Sequence, residues 1–134
     1  MMASELRVNT LKDASGNNSV GMSTVAQGSA KAWAHIAAGG ASLPDSFNFS
    51  SIDDDGTGEY GLNFTSAMGN ATYSAPGVIS IGHTSGVNNL RCLIIESKGT
   101  SSVEVDTGYA NTDAYFVNYD TELDASVTIH GDLA

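Results

Sequence analysis

What most constrains this chain is a succession of nine short apolar or alternating segments, punctuated by clusters of Gly, Asn, Asp or Ser. They run at about Leu6 to Leu11, Ala30 to Ala37, Phe47 to Ile52, Tyr60 to Thr65, Thr72 to Gly82, Leu90 to Ser97, Ser101 to Thr107, Ala114 to Tyr119 and Ala125 to His130. A helix needs a longer run with a period of 3.6 before its apolar stripe is worth burying, whereas strands are satisfied by short runs closed by turn residues. The segmentation therefore predicts an all-β chain. The 15 glycines and the scarcity of stretches rich in Lys, Arg, Gln or Leu agree. Ser29 to Ala38 is rich in alanine, yet it alternates Trp33 and His35 against Ala34 and Ile36 and ends in Gly39-Gly40, so it too is predicted as a strand.

The expected architecture is an antiparallel β-sandwich of jelly-roll-like character over residues 26–134, preceded by an extended N-terminal arm over residues 1–25. With 134 residues, one domain is the default. The arm is rich in Gly, Asn and Ser and cannot bury its own Leu6, Val8 and Leu11, so it needs a partner. Its alternation of Leu6, Val8 and Thr10 with Arg7 and Asn9 suits the addition of a strand to a neighbour's sheet.

The stretch DDDGTGEYG at Asp53 to Gly61 matches two unrelated site patterns. Gly56, Gly58 and Gly61 spell the G-x-G-x-x-G of a dinucleotide-binding turn, while Asp53, Asp55, Thr57 and Gly58 fill the opening positions of a calcium loop. The first needs a helix after the glycines, but Tyr60, Leu62 and Phe64 alternate with Gly61, Asn63 and Thr65. The second needs a bidentate carboxylate where Phe64 stands. A β-hairpin, with glycine supplying positive φ at the turn, is the remaining reading.

The 15 acidic and 5 basic residues give a formal charge of -10, which repels phosphates and argues against a nucleic-acid partner. No run of 18 apolar residues occurs and the start MMASELRVNT lacks an export signal, so no membrane insertion and synthesis in a cytoplasm are expected. Cys92 is the only cysteine; its neighbours Leu93, Ile94 and Ile95 suggest a small buried residue. His35, His83 and His130 are scattered and form no zinc motif, and Ser85 in GHTSG falls outside a nucleophile-elbow frame. No catalytic residue, cofactor or metal is expected. Trp33, Tyr60, Tyr73, Tyr109, Tyr115 and Tyr119 could stack on sugar faces. Tyr109, Asn111 and Asp113 in GYANTD, together with Asn88 and Asn89, form polar loops suited to recognising a receptor.

ELRVNTLKDASG at Glu5 to Gly16, AKAWAHI at Ala30 to Ile36, DSFNFSSIDDDGTGEYGLNFTSAM at Asp45 to Met68 and NATYS at Asn70 to Ser74 together resemble a recurring module of bacteriophage virion proteins. The family is tail-fibre-like and frequent in phages of aquatic bacteria. The resemblance covers roughly the first 75 residues and departs at His35, Ala37 and Ala38, where larger residues are usual. It implies a non-enzymatic, homotrimeric virion protein, made in the host cytoplasm, whose N-terminal segment attaches to other virion proteins or to neighbouring copies of the chain. The expected function is that of a tail-fibre or fibre-tip protein contributing to adsorption, with a host-surface glycan or protein as receptor. The alternative is a capsid decoration protein that cements the shell.

Overall fold

Tyr60, Leu62 and Phe64 share one side of their strand because successive residues of extended backbone point to opposite faces, and all three are buried. The same period of two recurs along most of the chain. The computed structural model describes residues 6–40, 42–80, 90–110, 116–120 and 124–134. Its strands are β1 (Thr10–Lys12), β2 (Ser19–Gly21), β3 (Ala32–Ile36), β4 (Asp45–Phe47), β5 (Phe49–Gly56), β6 (Glu59–Phe64), β7 (Gly77–Ile79), β8 (Leu90–Lys98), β9 (Ser102–Ala110), β10 (Val117–Asn118) and β11 (Ala125–Ile129). The described helix is α1 (Met22–Gly28). The protein is mostly β, and its sheets are antiparallel.

Two sheets make the body. A four-stranded sheet has the order β4-β3-β11-β7, with Ala34 opposite Val127 and Ala125 opposite Ile79. In the five-stranded sheet β9 is central. β6 pairs with its first half and β10 with Gly108 and Tyr109, while β8 pairs along nearly all of it. β6 and β10 therefore follow one another along one edge of β9, β8 takes the other edge, and β5 lies outside β6.

Ala32, Ala34, Ile36, Ile79, Val127 and Ile129 from the first sheet meet Phe49, Tyr60, Leu62, Phe64, Val103 and Val105 from the second in one apolar core. Phe49 stacks on Phe64 at 5.0 Å between ring centroids, and Tyr73 meets Phe64 edge-on at 5.9 Å. Each large side chain sequestered here contributes about 1.5–3 kcal/mol. The Tyr73 hydroxyl is satisfied by donating to the carbonyls of Gly99 and Ser102.

DDDGTGEYG is the predicted hairpin. β5 and β6 pair across it, and Thr57 and Gly58 form its two-residue turn. Ser29 to Ala38 is likewise a strand over Ala32–Ile36. Cys92 differs from expectation. It is half-buried rather than buried, because it lies on the side of β8 away from the core side chains Leu93 and Ile95, its Sγ 4.0 Å from the Gly108 carbonyl.

The described part of the expected arm is not one extended strand. β1 and β2 pair in a small sheet of their own, and α1 runs across the boundary expected between residues 25 and 26. The β1–β2 loop is built around Asp13, whose carboxylate accepts from the Ser15 hydroxyl, the Asn17 amide and the Asn18 side chain. Led by the Ser15 bond, these donors hold the Asp13 carboxyl below its usual range. Leu6 is 80% exposed and Leu11 43%, and Val8 is half-buried, so the apolar residues of this segment are left largely without cover.

Candidate functional site

Three loops of the body converge at one end of the core: the Thr57-Gly58 turn, the loop after β3 and the segment after β10. Gly58 makes the convergence possible. Its φ is +72°, a conformation that suits glycine, and a Cβ there would lie 2.5 Å from the Thr107 carbonyl oxygen and 2.6 Å from the Tyr119 nitrogen. The turn is thus wedged against the backbone that carries Tyr119 and Asp120.

Hydrogen bonds complete the wedge. The Gly58 amide donates to Asp120 Oδ1 at 2.7 Å, the Thr107 amide to the Gly58 carbonyl at 2.7 Å and the Tyr119 amide to the Thr107 carbonyl at 3.0 Å. The buried Tyr60 hydroxyl donates to the same Asp120 oxygen at 3.1 Å and lies 3.4 Å from the Gly39 carbonyl oxygen. Burial first, then the hydrogen bond and charge of Asp120, push the Tyr60 phenol up to about 12. It therefore stays protonated and keeps donating across the ordinary pH range.

Beyond this frame sits a cationic and aromatic cluster. Arg91 on β8 stands directly opposite Tyr109 on β9. Its guanidinium carbon is 5.1 Å from the Tyr109 ring centroid and 4.7 Å from that of Tyr119, and the two rings meet edge-on at 6.0 Å. Each contact is worth about 0.5–1 kcal/mol where water has access, and more where it is excluded. Arg91 Nη1 has no hydrogen-bond partner and is shielded from solvent. The cluster thus places a planar cation between two phenol rings, an aromatic surface suited to planar groups and to the apolar faces of sugars.

Of the residues predicted to lie in receptor-facing loops, Tyr109 stands instead on β9, where its pairing with β8 brings it into this cluster, while Asn88, Asn89, Asn111 and Asp113 lie outside the described residues, as does Tyr115. Leu6, Val8 and Leu11 belong to the N-terminal segment. Sequence reasoning missed Arg91 and Asp120. A lone arginine leading into the apolar run Cys92 to Ile95 was the available signal, whereas Asp120 gives none, because its partners Gly58 and Tyr60 lie 62 and 60 residues away.

A second exposed aromatic feature lies on the outer side of the four-stranded sheet, where Trp33 stands directly opposite Phe47 and they are 37% and 53% exposed. Beside them His35 Nε2 lies 3.3 Å from Asp124 Oδ2. Among the described residues no group of three His, Cys, Asp or Glu side chains is arranged to hold a metal ion, and no helix is long and apolar enough to cross a membrane. Comparisons with protein-family models, curated proteins and solved structures return no match.

Proposed function

We propose that this chain is a structural protein of a bacteriophage particle, a homotrimeric tail-fibre or fibre-tip subunit that contributes to host adsorption rather than catalysing a reaction. The two sheets of the body form a β-sandwich of jelly-roll-like character, and the N-terminal segment joins it to other virion proteins. The observation that carries this reading is the division of labour along the chain. The N-terminal segment, with its small self-paired hairpin, leaves Leu6 and Leu11 exposed, as a docking segment would. The body holds Arg91, Tyr109 and Tyr119 on a frame fixed by Gly58, Tyr60 and Asp120, as a recognition surface would. The receptor on this account is a host-surface glycan or protein that meets the cluster and the loops beside it.

Deletion of residues 1–25 and the substitution Arg91→Ala test the two ends separately. The deletion is expected to abolish incorporation into particles. Arg91→Ala is expected to leave incorporation intact and slow adsorption. Normal incorporation of the truncated chain would refute the attachment role. Particles lacking the protein that adsorb normally but lose shell stability would replace the fibre reading with that of a capsid decoration protein.

A further inference from the structure

The outer side of the five-stranded sheet is acidic. Ile52, Tyr60, Val103 and Val105 face the core, and strand alternation therefore turns Asp53, Glu59, Glu104 and Asp106 to the opposite side. Glu59 stands directly opposite Asp106, and Gly61 directly opposite Glu104. With no side chain at Gly61, two carboxylates lean over it: a Cβ there would lie 2.9 Å from Glu104 Oε2 and 3.2 Å from Asp55 Oδ2. The face thus holds two carboxylate pairs, Asp55 with Glu104 over the Gly61 notch and Glu59 with Asp106. They are separated by two residues along β6 and β9, an interval of about 7 Å.

Like charges opposite one another on paired strands are destabilising. Asn118 donates to Glu59, Ser102 to Glu104 and Asn63 to Asp53, and all three donors are neutral. Asp106 is the deepest member. It is only 8% exposed, and its Oδ1 has no hydrogen-bond partner. A carboxylate so placed is short of a donor, above all a charged one. Burial, followed by the charges of Glu96, Glu59 and Glu104, raises its carboxyl above the usual range. Directly opposite Asp106 on β8, Ile94 is 40% exposed and gives the row of carboxylates an apolar margin.

We propose that this face binds a linear aliphatic polyamine, with one ammonium group at the Gly61 notch between Asp55 and Glu104, the next between Glu59 and Asp106, and the methylene chain running along the strands beside Ile94. It is a ligand site separate from the Arg91 cluster and independent of the virion reading. The number of oxygens within reach selects the class of cation. A calcium ion takes six to eight oxygen ligands, whereas among the described residues no group of three His, Cys, Asp or Glu side chains is arranged to hold a metal ion. A primary ammonium has three donors, and a pair of carboxylates meets them in charge-assisted hydrogen bonds. Spacing selects the length: a chain of about four carbons sets its terminal ammonium groups roughly 6 Å apart, close to the interval between the two pairs. Charge acts in the same sense. Arg7 and Lys12 are balanced within residues 1–28 by Glu5 and Asp13, so the whole formal charge of -10 resides in residues 29–134, which draws a multivalent cation to the body from a distance.

The test is calorimetric titration of the full chain at low salt with spermidine, butane-1,4-diamine, butylamine and calcium chloride. Spermidine and the diamine are expected to bind about tenfold or more tightly than butylamine, and to weaken as salt rises. Glu104→Gln and Asp106→Asn preserve side-chain shape; each should weaken spermidine about tenfold, and together they should abolish its binding and the rise in melting temperature that it gives the wild type. Gly61→Ala keeps every charge but fills the notch, and should weaken spermidine to a similar extent. Asp45→Asn/Asp132→Asn removes two charges from exposed positions outside this face and should change the affinity by less than about twofold. A diamine that binds no more tightly than butylamine, face variants without effect, or a control that weakens binding as much as Glu104→Gln/Asp106→Asn would overturn the proposal, the last by reducing it to the general charge of the body. So would calcium that binds more tightly than spermidine and is lost in Asp106→Asn, since the occupant would then be a metal ion.

Discussion

Replacing Gly58 with alanine tests how the β5–β6 turn holds the segment that carries Tyr119 and Asp120. The φ of +72° at Gly58 costs a residue with a Cβ roughly 1–2 kcal/mol. The new methyl would also lie 2.5 Å from the Thr107 oxygen and 2.6 Å from the Tyr119 nitrogen. Both are backbone atoms already hydrogen-bonded to one another, so they cannot swing aside as the end of a side chain would, and overpacking of this kind adds about 1–3 kcal/mol. The expected total is roughly 2–5 kcal/mol. Gly39 provides the control, because its φ is +82° and a Cβ there meets nothing within 4 Å; Gly39→Ala should cost only the backbone strain of about 1–2 kcal/mol. Urea unfolding followed by circular dichroism gives both values, with unchanged m showing that the unfolded states are comparable. If Gly58→Ala costs no more than Gly39→Ala, the turn is not seated against the Thr107 and Tyr119 backbone and the description of the site frame is wrong.

Alkaline unfolding should report on Tyr60, whose folded-state value of about 12 exceeds the ordinary 10.0. The unfolded chain releases this proton first, so the contribution is whole below pH 10 and is lost as pH rises towards 12, by up to roughly 3 kcal/mol. Tyr60→Phe should remove that alkaline loss and cost about 1 kcal/mol at neutral pH; an unchanged alkaline profile would refute the assignment. Asp106 acts in the same direction as Tyr60, the reverse of the usual carboxylate. Its raised value means that the folded state binds the proton more tightly, so its ionisation lowers stability as pH climbs through the folded value. Asp106→Asn should therefore raise stability at pH 7, by a few tenths to about 1 kcal/mol, and a fall in melting temperature would contradict the repulsive face. Arg91→Ala should cost about 1–2 kcal/mol through loss of both tyrosine contacts, and a double-mutant cycle with Tyr119→Ala measures how much of that is shared.

Strand positions were legible because they are written locally. Tyr60, Leu62 and Phe64 alternate, and Trp33 and His35 alternate with Ala34 and Ile36, whatever the rest of the chain does. α1 was not legible. It spans Met22–Gly28, its N-cap Gly21 makes no side-chain cap bond and its first turn holds no acidic residue, so the signals that mark a helix start are missing. Tyr109 was expected in a polar loop and lies instead on β9, and its neighbour Arg91 is set by the β8–β9 register rather than by any local pattern. The same holds for the acidic face. Glu59 and Asp106 become neighbours because β6 pairs with β9, while the adjacent aspartates of DDDGTGEYG, which attracted attention in the sequence, belong to a hairpin whose consequence is mechanical: its glycine turn props Asp120 and Tyr119.

The central claim is that the N-terminal segment holds the protein to the particle while the end bearing Arg91, Tyr109 and Tyr119 faces outward. A reconstruction of the intact particle, with bound antibody fragments raised against the isolated body, tests it most directly. The account predicts a few trimers at the tail fibres, residues 1–25 buried against neighbouring virion subunits, and the Arg91 end farthest from the attachment point. Hundreds of copies spread over the shell, or a particle without this protein, would contradict it.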